Sequence, residues 1–173
     1  QNGRVIAGPD TTVCQGQSAQ LIASGGNGIY TWTPAGTLNN SGISNPVATP
    51  SVTTTYTATS NNSGCILSDT ARVVVIPGGV VTPAVNISVS PNSGVCSGAS
   101  VTFTATPTNG GSSPTYQWKR NGANVGPNNS SFVTSSIANN DFFTCVMTSS
   151  ASCVSPTTAT SNAVTMTINP NTS

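Results

Sequence analysis

The chain is 173 residues long and almost uncharged: 4% of its residues are charged, the formal net charge is +1, and neither His nor Glu occurs. Its acids are Asp10, Asp69 and Asp141, and its bases are Arg4, Arg72, Lys119 and Arg120. Nucleic-acid backbones need clustered Lys and Arg, so the single adjacent pair Lys119-Arg120 excludes them as partners. No apolar run approaches the roughly 18 residues of a membrane-spanning helix, so no membrane insertion is expected.

The apolar residues, 35% of the chain, alternate with Ser, Thr and Asn, which argues for a folded β structure over disorder. In chain order, alternation predicts strands over 18–24, 29–33, 53–59 and 70–76. Gly/Asn/Pro-rich turns separate them at 25–28, 34–45 and 61–64. A second series follows at 86–90, 99–106, 115–119, 131–136, 141–148 and 159–168, after the Pro/Gly linker Pro77-Gly78-Gly79-Val80-Val81-Thr82-Pro83. No window carries a 3.6-residue apolar stripe, and the Pro and Gly spacing breaks helices.

One motif occurs twice, as Val13-Cys14-Gln15-Gly16-Gln17-Ser18 and as Val95-Cys96-Ser97-Gly98-Ala99-Ser100. Each copy is a turn followed at once by a strand, and the copies lie about eighty residues apart, the length of a small sandwich domain. The predicted fold class is all-β, with two tandem immunoglobulin-like β-sandwich domains. Their bounds are 1–78 and 86–169, with a linker over 79–85 and another linker beginning at 170–173. Gln1 reads as a processed or excised start.

An immunoglobulin sandwich carries a Cys on strand B, a Cys on strand F and a Trp on strand C packed over their bridge. Here Trp32 and Trp118 stand at the core Trp positions. Ala23 and Ala105 hold the strand-B position, and Ala58 and Cys145 the strand-F position, so that bridge is missing from both domains. The remaining cysteines flank strands B and G, which predicts Cys14–Cys65 and Cys96–Cys153 disulfides from the entrance of strand B to the F–G turn. Closing loops of this length stabilises a domain by about 4 kcal/mol in the chain-entropy picture. Disulfides place the protein in an oxidising, extracellular compartment. Cys145, the fifth, reads as a free buried thiol opposite Ala105, against the competing reading of a reactive or intermolecular thiol.

The segment AGPDTTVCQGQSAQLIASGG, with the Thr-rich run to residue 75, closely resembles the PKD/immunoglobulin-like repeats of large Bacteroidetes surface proteins. These include gliding-motility adhesins and other type IX-secreted proteins. The segment FTCVMTSSASCVSPTTATSNAVTMTI, with the residues before it from 87, resembles a second repeat type of the same proteins. The resemblance implies a secreted or cell-surface repeat but fixes no activity. It implies as partners other copies or neighbouring repeats of the same protein, and makes Thr11 (in Asp10-Thr11-Thr12) and Thr70 (in Asp69-Thr70-Ala71) O-glycosylation candidates. The sorting domain of a type IX cargo does not occur in these residues, so the sequence reads as a piece of a longer chain.

Chemistry has little to stand on. Without His there is no catalytic Ser or Cys arrangement, and a glycosidase pair would have to come from three scattered aspartates. The chain is read as non-catalytic and without a cofactor. Calcium is the one cation left open, on Asp10 and Asp69, against a reading in which Asp10 serves a turn and Asp69 starts a strand. Trp32 and Trp118 share strand faces with Tyr30 and Tyr116, as core residues do, which leaves Phe142 as the candidate exposed ring. The expected function is a structural or adhesive repeat of a stalk, filament or adhesin, open to fibre formation by strand-edge pairing. The alternative is a carbohydrate-binding accessory module for surface polysaccharide.

Overall fold

The computed structural model describes residues 3–91 and 94–169, and every element it contains is a strand. Contacts divide the chain into two compact units, Gln1–Val80 and Val81–Ser173. Val81, inside the segment read as linker, forms a parallel bridge with Val154 and so already belongs to the second unit.

The first unit is built from β1 (Val5–Gly8), β2 (Thr11–Cys14), β3 (Ala19–Gln20), β4 (Ile22–Gly25), β5 (Thr31–Thr33), β6 (Val47–Ala48), β7 (Thr54–Asn62) and β8 (Cys65–Ile76). One layer holds the antiparallel pairs β1–β4 and β3–β6, and the other is the sheet β2-β8-β7-β5. These are strands A, B and E against A′, G, F and C of an immunoglobulin-like β-sandwich. β2 runs parallel to β8, while β7 and β8 form a hairpin closed by Ser63 and Gly64, both with positive φ, the conformation a two-residue hairpin turn requires. The predicted strand over 18–24 breaks at Leu21, whose N–H donates to Pro46 O at 2.9 Å. Alternation along β8 buries Ala71, Val73 and Val75, and the first two share a core with Leu21, Trp32, Tyr56 and Ala58.

The second unit repeats the plan with β9 (Ala84–Ser90), β10 (Gly94–Cys96), β11 (Val101–Thr108), β12 (Thr115–Arg120), β13 (Ala123–Val125), β14 (Ser131–Thr134), β15 (Phe142–Thr148), β16 (Thr158–Thr160), β17 (Val164–Thr165) and β18 (Thr167–Asn169). One layer is β14-β11-β9, and the other β13-β12-β15-β16 with β17 also on β15. β10 pairs parallel with β18, as β2 does with β8. This core is aromatic: Phe103 stacks on Phe143 with centroids 4.3 Å apart, and Trp118 lies 6.1 Å from Phe103 and 5.9 Å from Phe132.

The strand registers correct both predicted disulfides. Cys14 pairs with Ile76 at the end of β8, whereas Cys65 opens that strand. Twelve residues of strand hold them roughly 35 Å apart at about 3.3 Å per residue, far beyond the 7 Å or so a disulfide spans between Cα atoms. In the second unit Cys96 lies one turn before β11, and Cys153 lies past its far end, where Ser150 N donates to Gly110 O. The reason is topological. Strand A′ runs parallel to G, so the turn that follows A′ meets the end of G, while the F–G turn sits at its start. Cys65 and Cys96 are free and exposed; Cys14 and Cys153 are each disulfide-bonded.

Candidate functional site

The two tryptophans occupy equivalent places. Trp32 pairs across the sheet with Ala58 and Trp118 with Cys145, and all four are fully buried. Each indole N–H donates to a carbonyl eleven residues on, Trp32 to Ile43 O at 2.9 Å and Trp118 to Asn129 O at 2.8 Å. The partner strands stay small at this level: Ala23 and Ala58 in the first core, Ala105 and Cys145 in the second. Where a cross-sheet bridge would stand, the volume goes to the indole instead.

Burial pushes the Cys145 thiol up to about 11, so at neutral pH it stays protonated and unreactive. A maleimide added to the native protein is expected to modify Cys65 and Cys96 and to reach Cys145 only after denaturation. Labelling of Cys145 in the folded state at the rate of the other two would contradict its placement.

Every carboxylate holds backbone. Where the chain crosses from β1 to β2, Asp10 Oδ1 accepts the Arg72 N–H at 2.8 Å and Asp69 Oδ2 accepts the Ala7 N–H at 2.9 Å. The Ala7 amide and the Asp69 carboxylate's own Thr70 amide hold Asp69 below its ordinary value. In the second unit Asn162 does the same work on β9, with Oδ1 accepting from Ile87 N at 2.8 Å and Nδ2 donating to Ile87 O at 3.0 Å. In both units a side chain from the G region thus satisfies the free edge of strand A, where exposed N–H and C=O groups invite another strand. Asp69→Ala is expected to abolish slowed hydrogen exchange at Ala7 while amides inside β7–β8 keep theirs. Unchanged protection at Ala7 would refute the edge role.

Asp141 is buried and forms an ion pair with Arg120; it also accepts from Ala138 N at 2.6 Å and Asn121 Nδ2 at 2.7 Å. Sequence reasoning weighed this residue only as a catalytic acid and missed its role as a hub. Among the described residues no group of three or more His, Cys, Asp or Glu side chains converges as a metal site would require.

Of the other expected site residues, Thr70 is exposed on β8 and Thr11 half-buried on β2. Phe142 is 41% exposed. Ile6 and Ile22 are about half exposed and, with Gly8 and Pro9, line a shallow apolar depression of about 380 Å³ on the outer face of the β1–β4 pair.

No protein-family model matches the chain, and no curated protein does. Solved structures with a similar fold include the N-terminal four Ig domains of Dscam1 isoform 1.9, at 15% identity and a TM-score of 0.44, covering 96% of this chain and 46% of that one. Fibronectin(III)-like modules of Clostridium thermocellum CbhA match at 14% identity and a TM-score of 0.42, covering 96% and 94%. The titin domains z1z2, solved in complex with telethonin, match at 16% identity and a TM-score of 0.34, covering 94% and 93%. The chain spans less than half the length of the Dscam1 chains it matches. The immunoglobulin-like assignment rests on the strand order and the two cores described above.

Proposed function

We propose that this chain is a non-catalytic repeat segment of an extracellular stalk, filament or adhesin. One observation carries the reading: the carboxylates and the indoles are spent on the sandwich itself. Its three carboxylates accept backbone or intra-unit donors, and both indoles are sealed in cores. Much of the exposed surface is Ser, Thr and Asn, uncharged and hydrogen-bonding, with scattered apolar side chains such as Ile29 and Ile66 among them. The disulfide-bonded Cys14 and Cys153 favour export to an oxidising compartment. The resemblance to Bacteroidetes surface repeats supports the same placement, and Thr70, the more exposed of the two candidate threonines, is the better glycan acceptor.

A rival reading, the carbohydrate-binding module, draws on exposed Phe142. A glycan array probed with the isolated chain decides between them. The repeat reading expects no saturable glycan binding and two separate unfolding events when the reduced chain is pulled end to end. Saturable binding that Phe142→Ala removes would transfer the chain to the rival class.

A further inference from the structure

Apart from the core residue Cys145, the cysteines of each unit occupy two poles. In the first unit the chain enters beside the F–G turn: Gly26 N donates to Arg4 O ahead of β1, and Asn27 bonds Ser60 and the Asn61 carbonyl at the end of β7. Cys65 stands at this pole, immediately after the turn. The chain leaves at the opposite pole, where Cys14 lies beside Ile76, Gln15 N donates to Ile76 O at 2.9 Å, and Gly78 N donates to Gln15 Oε1 at 3.1 Å. The second unit follows the same rule. It is entered at Val81, whose N–H donates to Cys153 O at 2.9 Å, and left at β18, where Cys96 lies beside Asn169.

Cys14 and Cys96 are structurally equivalent down to the turn they open. Gln17 N donates to Cys14 O at 2.9 Å and Ala99 N to Cys96 O at 3.1 Å, over Gly16 and Gly98 at φ +87° and +78°. Cys65 and Cys153 are equivalent as the cysteines of the entering pole. One member of each equivalent pair, Cys14 and Cys153, is disulfide-bonded, while the other, Cys96 and Cys65, is a free exposed thiol. A bond cannot join the two poles of one unit, so Cys65 and Cys96 have no route to a partner within their own units.

We propose that Cys65 and Cys96 are the terminal connectors of a covalent series of repeats, each forming a disulfide with the cysteine at the complementary pole of a further module of this kind. Between copies of this chain, the bond joins Cys96 of one to Cys65 of the next. Each bond takes two thiols, releases two protons and passes two electrons to a disulfide oxidant, small-molecule or protein-borne, which leaves as two thiols. The contact is heterologous, so it propagates into an open chain and does not close as a symmetric dimer. The inference deepens the repeat reading above and rests on it only for the identity of the partner.

The test is oxidation of the concentrated 173-residue chain in a glutathione redox buffer, read by non-reducing electrophoresis and peptide mapping. The wild type is expected to give a ladder linked by Cys65–Cys96. Cys65→Ser and Cys96→Ser alone are each expected to stay monomeric, and a mixture of the two to stop at the dimer. Cys96–Cys96 or Cys65–Cys65 dimers formed as readily by the single variants would overturn the proposal. So would a Cys65–Cys96 bond closed within one copy, or no bond at all while both thiols react with maleimide. Neighbouring repeats of one polypeptide and separate copies offer the same thiol. Mapping a longer chain that carries a third such repeat, isolated without reductant, separates them by whether the bonded cysteines share a polypeptide. A chain that forms no bond but passes the glycan and pulling tests loses this inference and keeps the repeat reading.

Discussion

Trp118→Ala is expected to remove about 3–5 kcal/mol from the stability of the second unit, most of what a domain of this size has. Three effects combine. The indole is fully buried and touches the rings of Phe103 and Phe132, so deletion leaves a cavity at the meeting point of both layers. Its cross-strand partner, Cys145, is too small to fill that space. The Asn129 carbonyl also loses its donor in the segment that leads into β14. Trp118→Phe keeps a ring but not the N–H and should fall between wild type and alanine. Hydrogen exchange across β11 and β15, followed against denaturant, measures the loss. Trp32, left as the sole tryptophan, reports the first unit independently. A loss under about 1 kcal/mol would mean that the indole is not the keystone of this core.

The sandwich and its cores were legible because period-two alternation and turn residues are local signals. A residue two positions from an inward aromatic also points inward, and this put Ala58, after Tyr56, and Cys145, after Phe143, at the inward strand-F position. The same parity carried information that went unused. Asp69 alternates with Leu67, Ala71 and Val73; Asn162 with Val164, Met166 and Ile168; and Asp141 with Phe143, Cys145 and Met147. A polar side chain in phase with inward residues must have a partner where it is buried, as Asp141 is, and half-buried Asp69 and exposed Asn162 find partners on the facing backbone. Two of the three turned out to seal the edge of strand A, and the third to knit the entrance to β15.

The disulfides failed for a different reason. Adjacency in the sequence of strands was taken for adjacency in space, and A′ was not recognised as a strand. Val13-Cys14 pairs in parallel with Val75-Ile76, and a four-residue strand beside a far longer one leaves little alternation to read. Once that pairing is present, Cys14 and Cys65 fall at opposite ends of the first unit, and Cys96 and Cys153 at opposite ends of the second. The cysteine pattern then does not describe a staple within one unit.

Asp141→Ala should destabilise the second unit by about 2–4 kcal/mol, the range for removing one partner of a mostly buried ion pair, lowered because the Arg120 side chain is 30% exposed. The carboxylate gathers Arg120 from the end of β12, Asn121 from the turn that follows and the Ala138 amide from the loop before β15, while its own carbonyl accepts from Met166 N at 2.8 Å. Burial pushes its carboxyl up. The Ala138 amide and the donors on Arg120 and Asn121 outweigh that and hold it below its ordinary value. A depressed folded-state value means the contribution is complete above the ordinary carboxylate range, near 4, and is lost as pH falls through the lower folded value. The other side-chain carboxylates, Asp10 and Asp69, lie in the first unit. The acid limb of the second unit's stability therefore belongs to Asp141 among side chains. Asp141→Asn, which keeps the shape and one acceptor, should flatten that limb in a denaturation series taken across acidic pH. A variant that still loses stability in acid as the wild type does would show that the ion pair is not what holds the entrance to β15.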